Sequence, residues 1–270
     1  MPIPRDVSRR EADRRHLLRP RLIVATVGAV AIVVVVAVTG ILVAAGGSGD
    51  SGGHRALTAD EANRLALTRF RNYEAGGRAV TITVPTTAGG LVVVGSIDYR
   101  AKRGYGVVHG AGREASSDGL IEWTATSVLV DPMADAPATA PAAPPTAGWV
   151  GRPLQQAGSS LDSALAIALG LGSDRPDNAQ LLPQNGAAWI GRDRLAGRQV
   201  DVMSGPAAVQ HAPGAAPGPA GTVRYWVGSD GTMYRVEAGL SSESQPAVIS
   251  FDTQAYASVP SVPGAGPAAR

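Results

Sequence analysis

The 270-residue sequence contains no cysteine, which excludes disulfides, cysteine zinc sites, thiol catalysis and a lipidated N-terminal cysteine. Aromatic residues are scarce, and all twelve lie between Phe70 and Tyr256, so any packed core is expected inside those limits. The four histidines are scattered along the chain, and none pairs with another at a metal-ligand spacing. No cofactor or metal is therefore expected.

One long apolar run lies close to the N-terminus. Residues 22–45, LIVATVGAVAIVVVVAVTGILVAA, contain no charged side chain. A helix of this length spans about 36 Å, which is enough to cross a hydrocarbon core of about 30 Å. Val43-Ala44-Ala45 would also suit a signal peptidase, but the run is much longer than the apolar region of a signal peptide. The sequence therefore predicts a retained transmembrane helix.

The residues before this run set its orientation. Residues 1–21 contain seven arginines against three acidic residues, a net charge of +4. The positive-inside rule keeps this basic tail in the cytoplasm and places the rest of the chain outside, in a single-pass protein of the cell membrane. Because the whole chain carries +2, the outer portion is near −2. The membrane is thus an expected partner, and nucleic acid is not.

The outer portion divides by composition. Residues 46–56 begin with GGSGDSGG and are interpreted as a flexible spacer, residues 57–258 as one domain, and residues 259–270 as a disordered tail. A Pro/Ala-rich loop at residues 131–148 and a Pro/Gly-rich loop at residues 206–221 are expected inside the domain. The patterns predict a helix at 57–77, four strands, one or two helices and five further strands. Consecutive strands joined by short turns indicate an α+β fold with an antiparallel sheet.

Two local patterns carry detailed predictions. Thr58 and Glu61 fit a capping box at the start of the first helix, and Gly95 suggests a bulge in a strand. In RYWVGSDGTMYRVEAG, residues 224–239, an Asp230-Gly231 turn gives an amphipathic hairpin. This register pairs Arg224 with Glu237, Tyr225 with Val236, Trp226 with Arg235, and Val227 with Tyr234.

Two stretches resemble catalytic or metal-binding motifs, but neither has the neighbouring residues that such a site requires. GDSGG at residues 49–53 resembles the sequence around a protease serine, yet the only upstream histidine is His16, across the predicted membrane. The acidic stretch SDRPDN at residues 173–178 lacks the glycine and terminal glutamate of a calcium loop and fits a helix-capping turn better. No enzyme is expected.

The late hairpin YWVGSDGTMYRVEA, followed by PAVISFDTQAY, resembles the LolA/LolB-like lipoprotein-carrier superfamily, most closely its LppX/LprG-like branch. The order of elements over residues 57–255 is similar too. The resemblance implies a curved antiparallel half-barrel sheet, helices on its concave face, and an apolar cavity for acyl chains between them. This chain departs from the family in having a membrane helix in place of a lipidated cysteine.

Together these observations predict a membrane-anchored domain that binds lipid or a lipoprotein acyl chain and catalyses no reaction. The candidate lining residues come from the second predicted helix and from the hairpin, and they are Leu161, Leu165, Ala168, Leu169, Tyr225, Val227 and Val236. Ordinary core packing is the alternative for each of them. The alternative for the whole domain is a ligand-free sensing or interaction module with a protein partner in the cell envelope.

Overall fold

The computed structural model describes most of the outer portion of the chain, namely residues 54–156, 159–206, 223–240, 243–251 and 258–262. The predicted tail 1–21, the predicted membrane helix 22–45 and most of the spacer lie outside the described residues, as does nearly all of the loop 206–221. Within the described residues, no helix has the length and apolar character needed to span a membrane.

The two long helices begin at side-chain caps. The Thr58 hydroxyl accepts a hydrogen bond from the Glu61 backbone N–H, and the Glu61 carboxylate accepts one from the Thr58 N–H, so the predicted capping box is present. At the second long helix, the Ser159 hydroxyl accepts a hydrogen bond from the Asp162 backbone N–H. These caps satisfy N–H groups that the first helical turn leaves free. The helices are α1 (Ala59–Glu74), α2 (Ser160–Gly170), the short α3 (Leu181–Gln184) and a 3-10 turn (Ala115–Ser117).

The strands in the described ranges form one antiparallel sheet of twelve, in the spatial order β1-β8-β9-β10-β11-β12-β2-β3-β4-β5-β6-β7. Since β1 and β7 are the two edges and do not pair with each other, the sheet is open. The strands are β1 (Arg55–Ala56), β2 (Gly77–Thr86), β3 (Gly89–Asp98), β4 (Arg103–Gly112), β5 (Gly119–Thr124), β6 (Ser127–Pro132), β7 (Val150–Pro153), β8 (Ala188–Leu195), β9 (Arg198–Ser204), β10 (Val223–Val227), β11 (Met233–Ala238) and β12 (Ala247–Phe251).

One face of the sheet, which we call the helix face, is covered by α1 and α2. Ile82, Val93 and Ile249 are fully buried there, and Leu165 of α2 packs in the same cluster. A second cluster joins α1 to β8, β9 and β10 through residues that include Leu65 and Met203. The main core of the domain therefore lies between the helices and this face.

The opposite face, which we call the outer face, is partly covered as well. Tyr105 and Leu129 are buried beneath Trp149, which directly follows the Pro/Ala-rich loop, and beneath Val262, whose exposed fraction is only 2%. Residues 259–262 are the first part of the tail that the sequence predicts to be disordered. Val259 and Val262 of this part pack against the sheet. We call residues 258–262 the C-terminal strap.

A buried carboxylate fixes α2 against the edge of the sheet. Asp162, which has no exposed surface, accepts hydrogen bonds from both terminal nitrogens of Arg152 at 2.5 and 2.7 Å. It also accepts one from the Gln155 backbone N–H at 2.8 Å. These three bonds neutralise the buried charge and join β7 to the first turn of the helix.

The hairpin of β10 and β11 keeps most of the predicted register. Arg224 pairs with Glu237, Tyr225 with Val236, and Trp226 with Arg235. The prediction for the last pair is wrong, because Val227 pairs with Met233 and a bulge displaces Tyr234. The connecting turn runs from Gly228 to Thr232 and is longer than the predicted two-residue loop. Tyr234 consequently packs beside Trp226 on the outer face.

The predicted bulge at Gly95 is also wrong. Gly95 keeps an unbroken register between Val80 on β2 and Gly106 on β4. A Cβ at Gly95 would lie 2.2 Å from the Tyr105 carbonyl oxygen, so close approach of the two strands is the reason for this glycine.

Candidate functional site

The seven residues predicted to line a cavity lie in the packed core of the helix face. Leu165, Ala168 and Val236 are fully buried members of its main cluster, while Val227 belongs to the second cluster and is fully buried too. The remaining three pack against the main cluster from partly buried positions, and they are Leu161, Leu169 and Tyr225. Their positions suit ordinary core packing, and their role as ligand contacts stays a prediction.

A cavity of about 370 Å³ lies on the outer face between the sheet, the Pro/Ala-rich loop and the C-terminal strap. We call it the outer-face cavity. Its floor is formed by β2, β3 and β4, and its walls come from residues 139–142 and 258–260. Most of the lining side chains are apolar, and they include Ala79, Val94 and Val259. The volume falls within the range of about 300–1,000 Å³ that small-molecule sites occupy.

The polar groups of the outer-face cavity are hydroxyls. Tyr105 and Ser96 lie opposite each other on β4 and β3, and Thr139 and Ser258 stand at the walls. Tyr105 is 5% exposed, and its hydroxyl has no hydrogen-bond partner among the described residues. Burial raises the pKa of Tyr105 to about 12, so the phenol stays neutral and can donate a hydrogen bond. An uncompensated buried hydroxyl is costly, and a ligand that accepts from it removes that cost.

An ion pair next to Tyr105 holds the C-terminal strap in place. Glu122 is fully buried beneath the strap, and its carboxylate lies 2.8 Å from Arg103. The other carboxylate oxygen accepts a hydrogen bond from the Val262 backbone N–H at 3.3 Å. Burial raises the pKa of Glu122, although Arg103 opposes this rise. The buried pair and the backbone bond connect the strap to β4 and β5.

The Pro/Ala-rich loop is fixed by Trp149. Its indole N–H donates to the Pro145 carbonyl at 2.9 Å, and its ring lies 6.5 Å from the Tyr105 ring. Ala140 packs against the same cluster. This wall of the cavity is therefore held by defined contacts rather than by chain connectivity alone.

A second cavity, of about 240 Å³, lies on the helix face. We call it the helix-face cavity. It is bounded by α1, by residues 177–185 and by Tyr225, which is one of the seven predicted lining residues. Its walls alternate apolar and polar groups, in contrast to the outer-face cavity.

Reasoning from the sequence missed the outer-face cavity. The signal that could have found it is the apolar character of both faces of β3 and β4, since LVVV and GYGVV contain no polar residue at the alternate positions. A strand that is apolar on both faces must be covered on both. The composition of the covering segments indicates a linker and a disordered tail instead. No cluster of His, Asp or Glu suited to hold a metal ion occurs within the described ranges.

Comparison with known proteins gives only distant likenesses. No family model and no curated protein matches the chain. An uncharacterized conserved protein from Thermus thermophilus shows 11% identity and a TM-score of 0.34 over 69% of this chain and 82% of its own.

Two other solved structures each align with 72% of this chain and 91% of their own. A putative outer membrane lipoprotein-sorting protein domain from Vibrio parahaemolyticus shows 8% identity and a TM-score of 0.26. A DUF1329 family protein from Desulfovibrio piger shows 9% identity and a TM-score of 0.25. Because all three TM-scores lie below 0.5, these likenesses carry no conclusion about this chain.

Proposed function

We propose that this chain is a membrane-anchored, extracytoplasmic protein that binds an apolar ligand, a lipid or the acyl chain of a lipoprotein, in its outer-face cavity. The observation that carries the proposal is an apolar cavity of about 370 Å³ with a buried, unpartnered Tyr105 hydroxyl in the described part of its lining. Apolar walls with a few converging polar groups are the usual composition of small-molecule sites.

The position of the hydroxyls defines one end of the ligand. Tyr105 and Ser96 are cross-strand neighbours, so they place two hydroxyl-bearing side chains at the same end of the lining. A carboxyl, ester or hydroxyl oxygen would accept from Tyr105, while an alkyl chain would lie along Val94 and Val259. A single-chain lipid with one polar end fits this arrangement.

Binding without catalysis is part of the proposal. The cavity is lined by no carboxylate, imidazole, amine or guanidinium among the residues described, and its hydroxyls have no adjacent base. General acid–base and nucleophilic catalysis both need such groups within hydrogen-bond reach.

The proposed setting is the outer side of the cell membrane, with residues 22–45 as the anchor and the basic tail inside. We also propose that the open antiparallel sheet is a half-barrel of the LolA-like kind. Its helices then cover the concave face, and the outer-face cavity lies on the convex side.

The test is lipid analysis of the full chain purified from its membrane. Since lipid and detergent associate with any membrane protein, the readout is the difference between matched variants. Ala142→Trp fills the wall of the outer-face cavity, whereas Ala143→Trp places the same side chain at the neighbouring exposed residue, outside the lining.

We expect one lipid class to co-purify with wild type and with Ala143→Trp and to be depleted in Ala142→Trp. Tyr105→Phe should weaken binding of that lipid about tenfold, which is the effect of one hydrogen bond. Equal lipid content in all four proteins would contradict the proposal.

A protein-interaction module is the second candidate, and the β7 edge favours it. All four residues of this edge strand are exposed, and Val150 is 64% exposed. An exposed edge can accept a strand from a partner. Absence of any specific lipid, together with capture of an envelope protein that is lost in Val150→Lys, would favour this function instead.

A further inference from the structure

We propose that the helix-face cavity is a second, independent binding site for a neutral polyhydroxylated ligand about the size of one sugar ring. The site lies on the opposite face of the sheet from the outer-face cavity. It shares no lining residue with that cavity, so it goes beyond the proposed lipid function. The volume of about 240 Å³ is slightly below the usual range for larger ligands, which points to a small molecule.

The charges in the lining cancel. Arg69 Nη1 lies 3.1 Å from Asp177 Oδ1, and Arg69 Nε donates to the Gly170 carbonyl at 2.9 Å. Both charged groups are therefore engaged with each other or with the backbone. Because each charge already has a partner of opposite sign, the pair gives a charged ligand little net attraction, whereas a neutral ligand can bond to its outer atoms.

Three polar side chains remain available to a ligand. The Asn178 carbonyl oxygen accepts from the Gln180 N–H, which leaves its amide N–H groups free. The side-chain amide of Asn185 and the hydroxyl of Tyr225 have no hydrogen-bond partner within the described ranges. Amides and a phenol offer both donors and acceptors, which is the mixture that several hydroxyl groups on one ligand require.

The apolar part of the lining suits the C–H face of a sugar ring. Leu65 and Leu182 are buried at the base of the cavity, and the Tyr225 ring contributes an aromatic surface with a polar tip. Burial raises the pKa of Tyr225, which keeps its phenol protonated as a donor. A purely apolar ligand would form no hydrogen bonds with the polar side chains, and a purely polar one would make no apolar contact with Leu65 and Leu182.

Backbone hydrogen bonds hold one wall of the helix-face cavity against α1. The Asp177 backbone N–H donates to the Ala66 carbonyl at 3.0 Å, and the Ser173 N–H donates to the Arg69 carbonyl at 3.1 Å. These bonds attach the segment before Asn178 to α1. The acidic stretch at residues 173–178, which the sequence predicts to be a helix-capping turn, therefore forms part of the cavity wall.

The experiment is saturation-transfer NMR on the full chain in a detergent without a sugar headgroup. The probes are the methyl glycosides of glucose, mannose, galactose and arabinose at millimolar concentration, together with methyl glucuronide as the charged counterpart. We expect saturation of the ring protons of at least one neutral glycoside, with a dissociation constant in the millimolar range.

The variants locate the site. Tyr225→Phe and Asn185→Ala should each weaken binding about three- to tenfold, and the double variant Asn178→Ala/Asn185→Ala should abolish it. Asn63→Ala, an exposed asparagine on α1 outside the lining, is the matched control and should bind like wild type. Ala142→Trp should also leave glycoside binding unchanged, which separates this site from the lipid proposal.

Three results would overturn the inference. They are the absence of saturation transfer from every neutral glycoside, transfer that persists in the double asparagine variant, and equal or tighter binding of methyl glucuronide. Because both asparagines are exposed, their replacement is not expected to unfold the domain.

Discussion

At the scale of single residues, Glu61 combines two structural roles. It completes the capping box of α1 and pairs with both terminal nitrogens of Arg55 at 2.7 Å. The hydrogen bonds from Arg55 and Thr58 lower the pKa of Glu61 from 4.5 to about 2, while burial opposes the shift. The carboxylate therefore stabilises α1 and the β1 edge only while it is ionised.

This shift predicts a loss of stability in acid. Because the folded pKa lies below the unfolded value, the contribution of Glu61 is complete above pH 4.5 and is lost as the pH falls towards 2. Arg55 is nearly half exposed, so solvent screens the pair, and we expect the loss to be about 1–2 kcal/mol. Urea titrations from about pH 7 to about pH 3 should show a smaller pH dependence for Glu61→Gln than for wild type.

Glu74 provides the control for this experiment. It is an exposed carboxylate in the last turn of the same helix, and its side chain has no ion pair or hydrogen bond within the described part of the chain. Glu74→Gln should reproduce the wild-type profile. If Glu61→Gln and Glu74→Gln give the same profile, the ion pair does not contribute to stability in solution.

At the scale of elements, the sheet depends on the close packing of β4 against β5. Gly104 pairs with Trp123, whose indole is fully buried on the helix face. A Cβ at Gly104 would lie 2.1 Å from the Trp123 ring. Because a neighbour this large cannot move without disturbing the core, Gly104→Ala should lower the free energy of unfolding by about 1–3 kcal/mol.

Gly191 on β8 offers a matched substitution. A Cβ there would meet no atom within 4 Å, and the residue also lies in a strand. Gly191→Ala should therefore change stability by less than about 0.5 kcal/mol or stabilise slightly. Urea unfolding followed by tryptophan fluorescence measures both variants. Equal effects at the two glycines would show that the cost at Gly104 is not steric.

At the scale of the whole molecule, the apolar run 22–45 is expected to anchor the chain with the domain outside. The full chain should remain in the membrane after alkaline carbonate extraction. Protease added outside intact cells should remove a C-terminal tag and spare an N-terminal one. The double variant Val34→Asp/Val35→Asp places two charges at the centre of the apolar run. It should weaken membrane insertion by several kcal/mol and shift the chain to the soluble fraction.

Intact mass distinguishes an anchor from a cleaved signal peptide. A retained anchor gives the mass of the full chain, whereas cleavage after Ala45 gives a chain that begins at Gly46. The second result would contradict the anchored form of the proposed function. It would leave both cavities untouched, because their lining residues all lie in the outer portion.

The sequence by itself determined the features that depend on near neighbours along the chain. The Thr58 capping box, the antiparallel strands and three pairs of the late hairpin follow from side chains a few residues apart. The hydrogen bonds of a cap or a hairpin connect such neighbours, so local spacing is sufficient to predict them.

Only the tertiary structure decided where the cavities lie. The outer-face cavity exists because residues 139–142 and 258–260 meet over β2, β3 and β4, and no local pattern indicates where such irregular segments pack. The helix-face cavity likewise joins Arg69 to Asp177, which is 108 residues away. Contacts at this separation depend on the packing of the whole sheet, and burial of apolar surface on both of its faces selects them.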